Sequence, residues 1–198
     1  MWHPEVFAAR TQPLGFSYEE WTVRWWKWIL GIPKERNPAF DRSGDDANIE
    51  QKHSGVVFLC QTIEGDKHWP TRKISIPKGS HVFIPIINWI SIFHKDGESE
   101  MELSRIAKIR MDVVADLRLR IGKRVIENLR EYRYRSPFFN FRVPDNNIFG
   151  ISAGTGTAMS DGYWVFLGPI EHSTRLSTFG SCTSGATKIG IDYIIDTM

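Results

Sequence analysis

The sequence predicts a mainly β fold, a β-sandwich or jelly-roll-like domain, with an N-terminal amphipathic Trp-rich helix and one short internal helix. Three observations carry this. Apolar, β-branched runs of strand length recur along the chain. Turn chemistry separates them at intervals of about ten residues. Two Ser-x-x-Glu capping boxes stand just ahead of the only segments with helical spacing.

The first box, Ser17 with Glu20, starts a helix at Tyr18. Pro33 cannot continue it and restricts Ile32, so the helix ends near Gly31. Trp21, Trp25 and Trp28 fall on one stripe, while Glu19, Arg24 and Lys27 lie opposite, so the helix is amphipathic. Trp26 sits off the main stripe and is the indole expected at a rim or an interface. Residues 34–54 read as a loop, because Asn37-Pro38, Ser43-Gly44 and Asp45-Asp46 are turn chemistry.

Strands are expected over Val56 to Ile63, Arg72 to Ile76 and His81 to Phe93. Pro85 within the last argues for an edge position or a bulge. Ser99 and Glu102 open the internal helix, which runs to about Arg110. A period of two from Val113 to Ile121, the Gly122-Lys123 turn and a return from Arg124 give a hairpin. Tyr132 and Tyr134, then Phe139 and Phe141, alternate with polar residues. Residues 144–161 read as a long Gly, Asn, Asp, Ser and Thr-rich loop. Strands follow over Tyr163 to Leu167, entered through Ser160-Asp161-Gly162, over Arg175 to Phe179 and over Ile189 to Ile195. The expected organisation is a single domain over 1–198, with an arm and helix to 33, a loop over 34–54 and a sandwich from 55.

Composition excludes several classes. A net charge of +2 gives no wholesale attraction to nucleic acid or anionic lipid. No run of about 18 uncharged apolar residues is present, so no membrane span is expected. Met1 to Glu5 lacks a basic region leading into an apolar core, so no signal peptide is read and a soluble, cytoplasmic protein is expected over an exported one. The two cysteines, Cys60 and Cys182, read as small buried thiols, with a single disulfide as the alternative.

The pattern "WWKWILGIPKERNPAFDRSG", Gln51, "GVVFLCQT", "RKISIPKGSHVFIPIIN", "SDGYWVFLGP" and "TFG" resembles a family of uncharacterised bacterial and archaeal proteins. They share W-W-x-W, I-P, N-P-x-x-D-x-x-G, I-P-x-G, F-x-P-x-x-N and D-G-Y-W elements. The resemblance covers most of the chain and brings no activity. Many members look exported, with cysteines near positions that here hold Ala47 and Ile74, so their absence fits a reducing compartment. The family's His ahead of the F-G strand is replaced within Ser173-Thr174-Arg175.

Candidate chemistry is dispersed. None of the six histidines pairs at short spacing, and a zinc site would need His81 to converge with His68 or His172. Asp41 and Asp161 are candidate acid/base groups, and each also suits the cap of a turn. The acidic run from Asp41 to Glu50 would attract Ca²⁺ or another divalent cation, without an EF-hand register. Asn88, with Trp89, is a polar group inside an apolar strand that must find partners or line a pocket. Arg72 could hold a carboxylate or clamp a loop, and Gln51 is similar. Residues 110–142 carry nine basic and four acidic residues, and "REYRYR" interleaves Tyr with Arg. Its alternation puts Tyr in a core and Arg in solvent, which disfavours nucleic-acid binding.

Three functions remain. The first is a binding module for a small molecule, sugar or partner protein, using loops 37–54 and 144–161, with ligand contacts at Asn88, Trp89, Arg72, Gln51 and Trp26. The second is a hydrolase or lyase with an acid/base site at His81, Asp41, Asp161 and Asn88. The third is a homo-oligomer assembled through the Trp-rich helix.

Overall fold

The structure is a computed structural model that describes residues 3–53, 55–62, 69–183 and 187–198. Helix α1 spans Tyr18–Leu30 and α2 spans Glu100–Asp112. Ten strands are present among the described residues. They are β1 (Val56–Phe58), β2 (Thr71–Ile76), β3 (Ser80–Ile92), β4 (Val114–Ile121), β5 (Arg124–Ile126), β6 (Arg133–Arg135), β7 (Phe139–Val143), β8 (Gly154–Ile170), β9 (Thr174–Cys182) and β10 (Lys188–Thr197).

They form two sheets. The first runs β1-β3-β8-β6, with β7 also on β8, and the second runs β2-β10-β9-β4-β5. β1 with β3 and β2 with β10 pair in parallel, and the other pairs are antiparallel. The sheets meet face to face as a sandwich. Where β9 crosses β3, a Cβ on Gly180 would lie 2.8 Å from the Cβ of Ile87, so only glycine allows that approach.

α1 covers the outer face of the first sheet. Both faces of that sheet are thus buried, which is why β3 and β8 carry near-continuous apolar runs. Ser17 accepts from the Glu20 N–H and Glu20 accepts from the Ser17 N–H, so both halves of the capping box form. Ser99 caps α2 through the Glu102 N–H alone, while the Glu102 carboxylate takes the N–H of Glu98.

Trp21, Trp25 and Trp28 pack on the sheet as expected. Their indole N–H groups donate to the carbonyls of Pro13 (2.9 Å), Leu59 (2.8 Å) and Ile49 (2.8 Å). Trp26 corrects an expectation, because it too is buried, against Trp25 and Trp164. All four tryptophans of α1 are covered by their own chain.

Two boundaries differ from the sequence reading. The first strand is ordered as β only over Val56–Phe58, and Ile63 lies outside the described residues. Residues 154–161 are strand rather than loop, and Ser160-Asp161-Gly162 is the middle of a 17-residue β8. Both cysteines are free, Cys60 buried and Cys182 half-buried. No helix among the described residues is long and apolar enough to cross a membrane.

Candidate functional site

The site follows from an uncovered stretch of β3. β1 pairs only with His81–Phe83, and beyond them no strand among the described residues lies on that side of β3. Opposite Pro85 the register with β8 shifts by a residue, so the proline marks a bulge. Along this edge lies a cavity of about 270 Å³. Trp25, Trp26 and Ile29 of α1 wall one side, Ile148 and Phe149 of the 144–153 loop another, and Ile189 of β10 a third. Ile87, Asn88, Trp89 and Ile90 of β3 form its floor.

Asn88 is placed there by its neighbour across the sheet. It pairs with Gly162, where a Cβ would lie 2.7 Å from the Cβ of Asn88. The D-G-Y-W segment is accounted for residue by residue. Asp161 pairs with Arg133, Gly162 makes room for Asn88, the Tyr163 hydroxyl accepts from Arg130, and Trp164 stacks on Phe83 with rings 4° from parallel.

Four residues lining this mostly apolar cavity each carry a buried polar atom without a hydrogen-bond partner: Trp26 Nε1, Trp89 Nε1, Asn88 Nδ2 and Gln61 Oε1. The Trp89 ring packs toward α2, on the face of β3 opposite Asn88. Unpaired buried polar groups are rare and each costs about 1–3 kcal/mol. Gln61 spends its amide nitrogen on the Ile86 carbonyl and the Thr178 hydroxyl, tying the two sheets together, which leaves its oxygen over. Among the described residues, Lys95 is the only charged one lining the cavity. Its ammonium lies 3.5 Å from Asp96 and 5.5 Å from the Phe149 ring.

The other sequence-predicted residues are elsewhere. Arg72 is fully buried, and its guanidinium donates to the carbonyls of Asp41, Pro38 and Cys60 and to the Tyr193 hydroxyl. It is a clamp holding the 38–41 loop on β2. Gln51 is a second clamp, its amide pairing with both the N–H and the carbonyl of Phe58. All five N–H groups of Arg72 are engaged within the chain.

Asp41 caps a turn. One carboxylate oxygen accepts from the N–H and hydroxyl of Ser43 and the N–H of Gly44, and the other from the N–H of Asp46. Asp46 itself pairs with Arg36. Both of these carboxylates are engaged by donors of the chain itself. Among the described residues no three His, Cys, Asp or Glu side chains converge on a metal position. His68 lies outside the described residues.

Asp161 is not at a strand entrance. It is 1% exposed and bound by both Arg133 Nε (3.0 Å) and Nη2 (2.8 Å). Arg133 also reaches Asp112 and the Lys108 carbonyl of α2, so this arginine is not a solvent-facing one, whereas Tyr132 and Tyr134 are buried as expected. The acid/base set does not assemble. Asp161 is opposite Trp89 and points away from Asn88, which lies one residue along β3. His81 begins the same strand eight residues earlier, about 25 Å away at about 3.3 Å per residue, beside the rings of Phe7 and Phe166.

Three of the residues singled out from the sequence, Trp26, Asn88 and Trp89, therefore share one cavity. Gln61 and Lys95 were missed. Gln61 had the same signal as Asn88, a polar residue within an apolar run, and Lys95 had none. Comparison with family models, curated proteins and solved structures finds no match to this chain. The likeness to uncharacterised bacterial and archaeal proteins rests on its motifs alone.

Proposed function

We propose that the protein is a binding module that takes a small, predominantly apolar molecule into the cavity along β3. The observation carrying this is the coincidence of an apolar, tryptophan-walled space of about 270 Å³ with four buried polar atoms that find no partner in the chain. Ligand sites have this composition: apolar walls and a few polar groups that fix orientation. A structural core of the same size would close over its voids and pair its polar atoms.

Trp25, Trp26 and Trp89 serve as reporters. Titration with 1-octanol or octanoate is expected to change tryptophan emission saturably. Ile148→Trp, which fills the cavity from a loop, is expected to abolish that change while the circular dichroism spectrum is retained. No saturable change with either compound rules out the cavity as a binding site.

A further inference from the structure

The cavity reading says where a ligand sits, and the polar complement of the wall says what kind. The volume of about 270 Å³ holds roughly nine water-sized groups at about 30 Å³ each, which suits a ligand of about ten heavy atoms. Trp25, Ile29, Ile87, Ile90, Ile148 and Phe149 ask for an apolar body.

Among the unpaired atoms, the two indole N–H groups of Trp26 and Trp89 can only donate. Asn88 Nδ2 also only donates, and Gln61 Oε1 only accepts. Lys95 adds a cation, and no Asp or Glu among the described residues lines the cavity. Among the described residues, donors therefore outnumber acceptors in the unpaired set, and the charge is positive.

The counter-charge already near Lys95 is modest. Asp96 approaches its ammonium at 3.5 Å, but the other Asp96 oxygen is taken by the Ile92 N–H. The Lys95 side chain is 44% exposed, which makes the pair a weak one. A sugar brings hydroxyls that donate as often as they accept, over a body with little apolar surface. It matches this wall less well than an apolar acid does.

Resting on the binding function above, we propose that the ligand is an anionic amphiphile. It has an apolar chain or ring of about ten heavy atoms ending in a carboxylate. The apolar body lies between α1 and β3, and the carboxylate oxygens accept from Trp26 Nε1 and Asn88 Nδ2 on that side of the strand and from Lys95.

The test is calorimetric titration of the full chain at neutral pH with three probes of one chain length: octanoate, 1-octanol and octylamine. Octanoate is expected to bind about tenfold more tightly than octanol, equivalent to about 1.4 kcal/mol, with octylamine weakest. Lys95→Met is expected to bring octanoate down to the octanol level and leave octanol unchanged. Because Lys95 is a surface side chain, the variant keeps the fold.

Asn88→Leu gives a second readout. It is expected to weaken octanoate while leaving the ligand-free protein at least as stable as the parent, since it deletes a polar group the fold does not pair. Octanol binding as tightly as octanoate, with no response to Lys95→Met, overturns the carboxylate assignment and leaves the apolar site standing. Failure of all three probes to bind overturns both.

Discussion

Trp25 and Trp26 meet edge to face with ring centroids 4.9 Å apart, but only Trp25 has a hydrogen-bond partner for its indole nitrogen. One turn of α1 thus carries both a structural indole and an unsatisfied one. Trp25→Ala is expected to cost about 3–5 kcal/mol in urea unfolding. Trp26→Phe keeps an aromatic ring and deletes an unpaired donor, so it is expected to cost less than Trp25→Phe, which also loses the hydrogen bond to Leu59. Equal losses from the two Phe variants would show that the indole hydrogen bond to Leu59 contributes nothing.

The Arg133–Asp161 pair should behave as a unit. Asp161 is almost fully buried, and its hydrogen bonds with Arg133, joined by that of Asp112 and by the Asp161 charge, outweigh burial and hold the guanidinium above its ordinary range. Arg133→Met leaves the buried Asp161 with only the longer contact to Arg135 at 3.7 Å and should cost about 3–5 kcal/mol. Adding Asp161→Leu to Arg133→Met should recover much of that loss. A double-mutant cycle measured by denaturation checks it, and strict additivity would show that the two side chains are not coupled.

Stability should fall on acidification in two stages. Burial first, and then the charge of Arg24, push the His53 imidazole down, so the folded chain favours its neutral form. The unfolded chain takes up that proton near pH 6.5, so this contribution is present above about 6.5 and lost as pH falls below it. Burial pushes the Asp41 carboxyl up. The N–H of Gly44, the hydroxyl and N–H of Ser43 and the charge of Arg72 outweigh it and hold the group below its usual range. Its contribution is present above about pH 4 and lost as pH falls through the lowered value. Melting temperature against pH should lose its upper step in His53→Phe and its lower step in Asp41→Asn.

Gly162 and Gly180 make separable predictions. A Cβ on Gly162 would meet the Cβ of Asn88 at 2.7 Å and the Ile87 carbonyl at 2.9 Å. A Cβ on Gly180 would press on Ile87 from the other sheet at 2.8 Å. Each Gly→Ala change should destabilise by about 1–3 kcal/mol through overpacking. Gly162→Ala should in addition weaken octanoate binding, since it displaces Asn88. Unchanged binding in that variant would detach Asn88 from the site.

The elements legible in the sequence are those fixed by local chemistry. Ser17 and Glu20 define the start of α1, and Pro33 its end, because capping and the missing proline N–H act within a few residues. The β4–β5 hairpin is equally local, fixed by its alternation and the Gly122-Lys123 turn. What escaped detection depends on distant partners. Gly162 reads as a turn residue until Asn88 stands opposite it, and Asp161 reads as a cap until Arg133 reaches it. Trp26 was picked out by its position off the stripe, but its burial depends on Trp164, more than a hundred residues later. His81 and Asp161 looked combinable because one-dimensional order gives no measure of distance along a strand.

The parallel pairing of β2 with β10 also affects the order of assembly during synthesis. Among the described residues, Thr71–Ile76 has its one strand neighbour at Asp192–Thr197. On a translating ribosome β2 therefore emerges long before the strand that holds it, and the outer edge of its sheet must wait for residues 188–197. Contacts of this sequence separation slow folding. Until they form, β2 is an unpaired strand, the type of segment that draws other chains into aggregates.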